Sequence, residues 1–203
     1  MGYEDLVRGQ HLKWGSEHGV GADPIHKVLP VGNVGGFRFR GSAKSPSILA
    51  LYSSLEDSMW HDFIEKATAK VVYYGDNKKP GNALTATPRR GNIILESVFD
   101  FATHNRKLLP PIFLFTNLGA GPNKVFQGLL VPGHESISDE DALVAVWHNG
   151  AEGKVLNYRA TFTLLDTSIV SGSWIDSIAS GAPDADLEPL ELALWRKYGQ
   201  KTL

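Results

Sequence analysis

The chain has 203 residues, 42% of them hydrophobic and 21% charged, enough to bury a core as one domain, or as one domain with a helical appendage, and this excludes a disordered tail. A formal net charge of -2 lacks the basic excess that marks most phosphate binders, so any nucleic-acid contact has to rest on local charge. With no cysteine, disulfides, thiolate zinc sites and cysteine nucleophiles are all excluded. The 21 glycines and 11 prolines fall in short clusters between apolar runs, which points to many turns and short strands. No stretch approaches the roughly 20 apolar residues of a membrane span, and the first residues, MGYEDLVRGQHLKWG, lack the apolar core of a signal peptide. The expectation is a soluble, cytoplasmic protein.

Residues 4 to 14 read as a short helix ended by Gly15. Gly32 to Ser45 is a Gly-rich basic loop carrying Arg38, Arg40 and Lys44 without an acidic residue. Ser47 to Ser53 is a buried-strand candidate, followed by an acidic and aromatic stretch with Glu56, Asp57, Trp60, His61 and Asp62. Lys70 to Tyr74 is a second strand by its β-branched and aromatic content. Gly75 to Asn92 is a second basic loop, with Asn77, Lys78, Lys79, Arg89 and Arg90 set against the single carboxylate of Asp76. In Ile93 to Ala102, Ile94, Val98 and Phe101 share one helical face, and Pro110 and Pro111 stop any continuation. Four further strands are expected at Ile112 to Phe115, Val125 to Val131, Ala142 to Trp147 and Leu156 to Leu165, the last two joined through a hairpin signal at Asn149-Gly150. Trp174 to Ala179 and Pro189 to Tyr198 read as helices. The sum is an α+β fold with a sheet of about six strands and helices at its flanks.

Two basic loops bracket a strand pair that ends in aromatic and acidic residues. Arginine and lysine on glycine-rich loops follow a phosphate backbone closely, because glycine lets the main chain approach. Aromatic rings stack on an extruded base, and carboxylates accept from the exocyclic amine of cytosine. Trp60, Asp62, Tyr73, Tyr74 and Asp76 have the chemistry of such a pocket. The same residues also fit a plainer description: Tyr73 and Tyr74 as strand aromatics, Trp60 as a core anchor under a loop, and the basic loops as solvated surface. Neighbouring strand residues face opposite sides, so only one of the two tyrosines is expected to line a pocket, Tyr73 being favoured.

The blocks DPIHKVLPVGNVGGFRFRG, LYSSLEDSMWHDF, VVYYGDNKKPGNALTATPRRGN, LPPIFLF and NYRATFTLLD occur in an order that resembles the N-terminal DNA-recognition domain of AspBHI-type modification-dependent restriction endonucleases. YYGDN and TPRRGN are the most specific of them. The resemblance implies an SRA-like fold, a curved β-sheet or half-barrel with flanking helices, that recognises 5-methylcytosine or 5-hydroxymethylcytosine in double-stranded DNA by base flipping. It also implies a role in phage defence in a bacterial cytoplasm. On that comparison the two basic loops enter opposite grooves, Asp62 reads the Watson–Crick edge with Asp76 second, and Trp60 and a tyrosine stack on the base. The resemblance further implies a separate nuclease domain, which would use Mg²⁺, and no cofactor for the recognition domain. Residues 1–173 would be the recognition domain and 174–203 a helical segment leading toward the nuclease.

A different class of function is also open. Asp139 or Asp141 followed by Glu152 and Lys154 has the acidic-then-Glu-x-Lys order of metal-dependent nucleases, although Glu152 and Lys154 fall at the expected hairpin turn, where charge is ordinary. Another DNA modification, such as a phosphorothioate backbone, is a further alternative. His11, His18, His26, His61, His104, His134 and His148 form no HExxH or close pair that would argue for zinc. Gly32, Gly35 and Gly36 make neither a dinucleotide fingerprint nor a Walker loop.

Overall fold

The computed structural model describes residues 2–16 and 19–202, so His18 lies outside the described residues. The chain opens not with a helix but with two short strands, β1 (Leu6–Val7) and β2 (His11–Leu12). Gly9 sits between them at φ +82°, a conformation that ends a helix and turns the chain. Leu6 and Leu12 go to the core while Val7 is left exposed. Helix α1 (Pro24–Val28) starts on Asp23, whose carboxylate accepts from the Ile25 and His26 amides at 2.9 and 3.0 Å, with proline at the first helical position where no donor is needed.

Next come β3 (Phe37–Ser42), β4 (Ser45–Ser53), β5 (Phe63–Glu65), β6 (Lys70–Tyr74) and helix α2 (Gly91–His104). They are followed by β7 (Ile112–Asn117), β8 (Lys124–Pro132), β9 (Leu143–Gly150), β10 (Gly153–Leu164), β11 (Ile169–Val170), α3 (Gly172–Ala179) and α4 (Leu190–Tyr198). The main sheet has nine strands rather than six, in the order β3-β4-β7-β8-β10-β6-β5, with β2 added on β8 and β9 on β10. Only β4 and β7 pair in parallel, the crossover between them containing α2; every other pair is antiparallel. The sheet does not close, so the α+β expectation holds with an open, many-stranded sheet.

The core lies where α2 packs on the sheet. Ile94 and Val98 are fully buried as the helical spacing predicts, but Leu95 and Phe99 accompany them more deeply than Phe101. Phe99 meets Phe162 of β10 edge-on at 5.2 Å, and Phe113, Phe115 and Phe126 fill the layer beneath. Each such ring contributes roughly 1.5–3 kcal/mol by leaving water. Nothing in the packing marks a boundary at residue 173: Trp174, Ile175 and Ile178 of α3 and Leu192 and Trp195 of α4 join the same core, and the Gly172 amide donates to Asp5 at 2.8 Å.

The β9–β10 hairpin turns at Ala151-Glu152, not at Asn149-Gly150. Gly150 pairs with Gly153 and Asn149 with Lys154, so the Asn-Gly dipeptide is the last of the strand. Residues 153–158 of β10 pair with no strand but β9, 159 and 160 pair with both β9 and β6, and 156–158 are further tied to residues 75–77. The hairpin therefore projects past the sheet as a two-stranded ribbon.

Candidate functional site

The chain ends of β4 and β6 lie at the same end of the sheet, and the loops leaving them enclose a cavity of about 290 Å³. Gly35 and Gly36 form one wall, Asp57, Trp60 and Asp62 of the β4–β5 loop a second, and Tyr73 to Asp76 with Lys78 a third. The five residues singled out from the sequence thus come together around one space, and both tyrosines contribute to its wall where alternation predicts only one.

Their roles in the fold differ. Asp62 Oδ2 accepts from the Ser53 hydroxyl at 2.6 Å and Oδ1 from the Tyr74 amide at 2.8 Å. Burial dominates over these bonds and pushes its carboxyl up to about 6, since a low-dielectric site penalises the charged form. Trp60 is buried, its ring 5.4 Å from Tyr74 and 4.7 Å from His148, and its Nε1 has no partner among the described residues. Asp57 Oδ1 accepts the Met59 and Trp60 amides while Oδ2 binds Lys78 Nζ at 2.5 Å, so this carboxylate shapes the turn that carries Trp60 and ties it to the second basic loop.

Tyr73 is a core residue. Its ring meets Phe37 edge-on at 5.3 Å, and its hydroxyl lies 3.0 Å from the carbonyls of both Gly36 and Tyr52, donating to them. Burial raises that phenol well above its ordinary range. A Cβ on Gly36 would stand 2.6 Å from the hydroxyl, so glycine is needed there for close approach. Tyr74 is half-buried and stays against Trp60. Asp76 is committed to α2: Oδ2 accepts the Gly91 amide at 2.9 Å and Oδ1 the Asn92 amide at 3.0 Å. The residue in the cap position, Arg90, is left-handed at φ 56° and supplies no side-chain cap, so Asp76 does the capping from across the loop.

The second basic loop is pinned at both ends by buried amides. Asn92 Nδ2 donates to Leu84 O and to Asn157 Oδ1, Asn157 Nδ2 donates to Gly75 O, and Asn77 Nδ2 donates to Leu156 O. A Cβ on Gly75 would fall 1.7 Å from Asn92 Oδ1, which requires glycine. Between these pins Lys79, Arg89 and Arg90 are exposed. Arg89 lies across Gly35, where a Cβ would meet its Nη1 at 2.6 Å, so this loop touches the first at the cavity rim.

The first basic loop is not one loop. Residues 37–42 are strand β3, and Arg38 is 5% exposed, with Nη1 2.7 Å from Asp23 Oδ1, Nε donating to Gly35 O at 3.0 Å, and the guanidinium over the Tyr52 ring. It holds the fold together rather than facing solvent. Arg40 is exposed farther along β3, and Lys44 sits at the β3–β4 turn, seven residues from Phe37 of the cavity wall and roughly 23 Å along the strand.

A family model described as the restriction endonuclease AspBHI N-terminal domain matches residues 8–203. The chain belongs to this AspBHI N-terminal family. Its fold matches the "DNA modification-dependent restriction endonuclease AspBHI" with a TM-score of 0.90 at 35% identity, covering 98% of this chain and 51% of that one. It also matches the "DNA recognition domain of the cytosine modification-dependent restriction endonuclease LpnPI", with a TM-score of 0.85 at 36% identity over 98% of this chain and 90% of that one. The MspJI restriction endonuclease in complex with a 27-mer oligonucleotide shares the fold, with a TM-score of 0.71 at 18% identity, covering 98% of this chain and 53% of that one. No match was found among curated proteins. The chain thus spans about half the length of AspBHI.

In this member of the AspBHI N-terminal family the residues of the nuclease alternative do not meet. Asp139 and Asp141 lie in the turn before β9, with Asp141 bonded to Ser138, while Glu152 is at the opposite tip of the hairpin. Eight paired residues of β9 separate them, roughly 25 Å or more. Among the described residues no group of three His, Asp or Glu side chains is placed to hold a metal ion, and no helix is long and apolar enough to cross a membrane. Sequence reasoning missed Ser53, Asp57, Asn92, His148 and Asn157 as builders of the site. Their partners stand 9 to 88 residues away in the chain, and no local pattern marks such pairs.

Proposed function

We propose that the chain is the recognition module of a modification-dependent restriction endonuclease and that it seats a modified cytosine, flipped out of duplex DNA, in the cavity between Trp60, Asp62 and Tyr74. The observation that carries this reading is one half-buried carboxyl group, Asp62, facing an aromatic-walled cavity of about 290 Å³ beside a rigidly pinned basic loop. AspBHI and LpnPI, each more than a third identical over nearly all of this chain, are described as modification-dependent, and LpnPI as acting on modified cytosine.

Lys79, Arg89 and Arg90 neutralise phosphates at the rim, and extrusion of the base costs a few kcal/mol of stacking and pairing. Trp60 and Tyr74 supply a stacking wall that offsets part of this. Tyr73 acts through its hydroxyl, holding the Gly35-Gly36 wall to the end of β4. An Asp62 carboxylate accepts from the cytosine N4 amine, whereas thymine presents an acceptor at the same place and is rejected. A notch for the C5 substituent adds a little under about 1 kcal/mol per buried carbon, so shape more than affinity selects the modification.

Affinity should be measured for otherwise identical duplexes carrying cytosine, 5-methylcytosine, 5-hydroxymethylcytosine or a phosphorothioate linkage, with a fluorescent base analogue beside the target. Tighter binding and a rise in fluorescence with a modified cytosine, both lost in Asp62→Ala, are expected. Equal affinity for all duplexes at physiological salt would sink the reading, and preference for the phosphorothioate would move it to the backbone.

A further inference from the structure

We infer that the β9–β10 ribbon is a second DNA-contacting element, laying Trp147 and Lys154 onto the duplex beside the flipped base. This rests on the reading just proposed for the cavity. Trp147 is 64% exposed, more than any other tryptophan of the chain, on a ribbon whose tip residues 149, 150, 153 and 154 pair with no other strand. Leu156 stands directly opposite it across the ribbon, and Lys154 opposite Asn149, and residues opposite or two apart in an antiparallel pair share a face. One face of the ribbon thus carries an indole, a half-buried leucine and an ammonium group, and Trp147 and Lys154 on it are exposed. Trp147 contributes no contact to the core, so packing does not explain it.

Three contacts fix where that face lies. His148, on the other face, packs its ring 4.7 Å from Trp60. A Cβ on Gly150 would stand 3.2 Å from the Met59 methyl, and one on Gly153 3.5 Å from Pro80. The ribbon tip is therefore braced between the loop that carries Trp60 and the second basic loop, continuous with the cavity rim, and its base is fixed by Tyr158 donating to Glu96 of α2 at 2.7 Å. A two-stranded ribbon is of a size to enter the major groove, and a side-by-side aromatic and cation suit the sugar-phosphate edge and the face of an unstacked base. Lys154 gives this face its cation, with Glu152 at the tip the one exposed carboxylate of the turn, while Lys79 on the loop against the opposite face adds positive charge at the cavity rim.

The test uses the full chain and duplexes with and without the modified cytosine, comparing wild type with Trp147→Ala, Trp147→Phe and Lys154→Ala after thermal melts show each variant to be folded. Trp147→Ala is expected to weaken binding of both duplexes about tenfold, the usual effect of losing one aromatic stack, and Trp147→Phe by less. Lys154→Ala should lower the salt slope by about 1. The preference for the modified duplex, which the cavity sets, should survive in all three. If wild type prefers the modified duplex but Trp147→Ala and Lys154→Ala bind as wild type does, the ribbon claim is overturned and the cavity reading stands. If Trp147→Ala weakens binding of a protein that shows no preference at all, the ribbon claim stands and the cavity reading fails. Should Trp147→Ala change only the oligomeric state, the face is a contact between copies of this chain and the claim is likewise overturned.

Discussion

Asp62 and Asp76 line the same cavity, yet their surroundings set opposite consequences for stability. Asp62 is pushed up to about 6 in the folded chain from the ordinary carboxylate value of 3.8, with burial as the leading cause. Between those values the folded protein holds a proton that the unfolded chain releases. Asp62 therefore favours folding at low pH, and that contribution is lost as pH rises to about 6, leaving a cost of about 2–3 kcal/mol at neutral pH. Asp62→Asn removes the charge and keeps an acceptor for the Tyr74 amide. It should melt roughly 3–6 °C above wild type at pH 7.5, for about 1–2 kcal/mol, while losing selective binding, and the gap should close toward pH 4.5. A gap that is constant across this range would show that the carboxylate is not its source. Asp62 was drawn from the sequence by the acidic and aromatic stretch around it and by the family resemblance, and it lines the cavity. Arg38 was misread as a loop cation because its partner, Asp23, lies 15 residues earlier, and a buried ion pair leaves no local trace.

Helix α2 carries the wall of the site through its first turn. Since Arg90 offers no side-chain cap, the Gly91 and Asn92 amides depend on Asp76, and Asp76→Ala would strand two donors beside the core. The expected loss is about 2–3 kcal/mol, or roughly 5–10 °C in melting temperature, opposite in sign to Asp62→Asn. Thermal melts of the two variants side by side check both; a stable Asp76→Ala would mean that water caps the helix. The apolar runs revealed six strands and all three longer helices, strands such as β7 because they are buried on both faces and so read as continuous apolar stretches, α2 because its apolar residues follow a helical period. The short strands β1, β2, β5 and β11 pair through the backbone and carry too few residues to show a period. β3 could have been found: Phe37-Arg38-Phe39-Arg40 alternates, and the glycines before it drew it into the loop. At the hairpin the Asn-Gly signal located the turn to within two residues but not its register, because Gly150-Gly153 closes the ribbon instead.

At the scale of the whole molecule, a net charge of -2 conceals a segregated distribution. Cations near the cavity are held on a pinned loop, whereas Arg40 and Lys44 lie toward the other end of the β3–β4 hairpin, and Arg38 is internal. Composition averages over these placements, which is why it argued mildly against a nucleic-acid partner. If the loop of Lys79, Arg89 and Arg90 is the main phosphate contact, with Lys154 adding one more, the logarithm of the association constant should fall with the logarithm of salt concentration with a slope of roughly -3 to -4. Arg89→Ala and Arg90→Ala should each reduce that slope by about 1 and weaken modified and unmodified duplexes alike. Lys44→Ala should leave it unchanged, because a charge more than a Debye length from the contact is screened at physiological salt. Equal slopes for Arg89→Ala and Lys44→Ala would require the duplex to run along the whole β3–β4 hairpin instead of crossing the cavity end of the sheet. The path of the DNA can thus be read from three salt titrations.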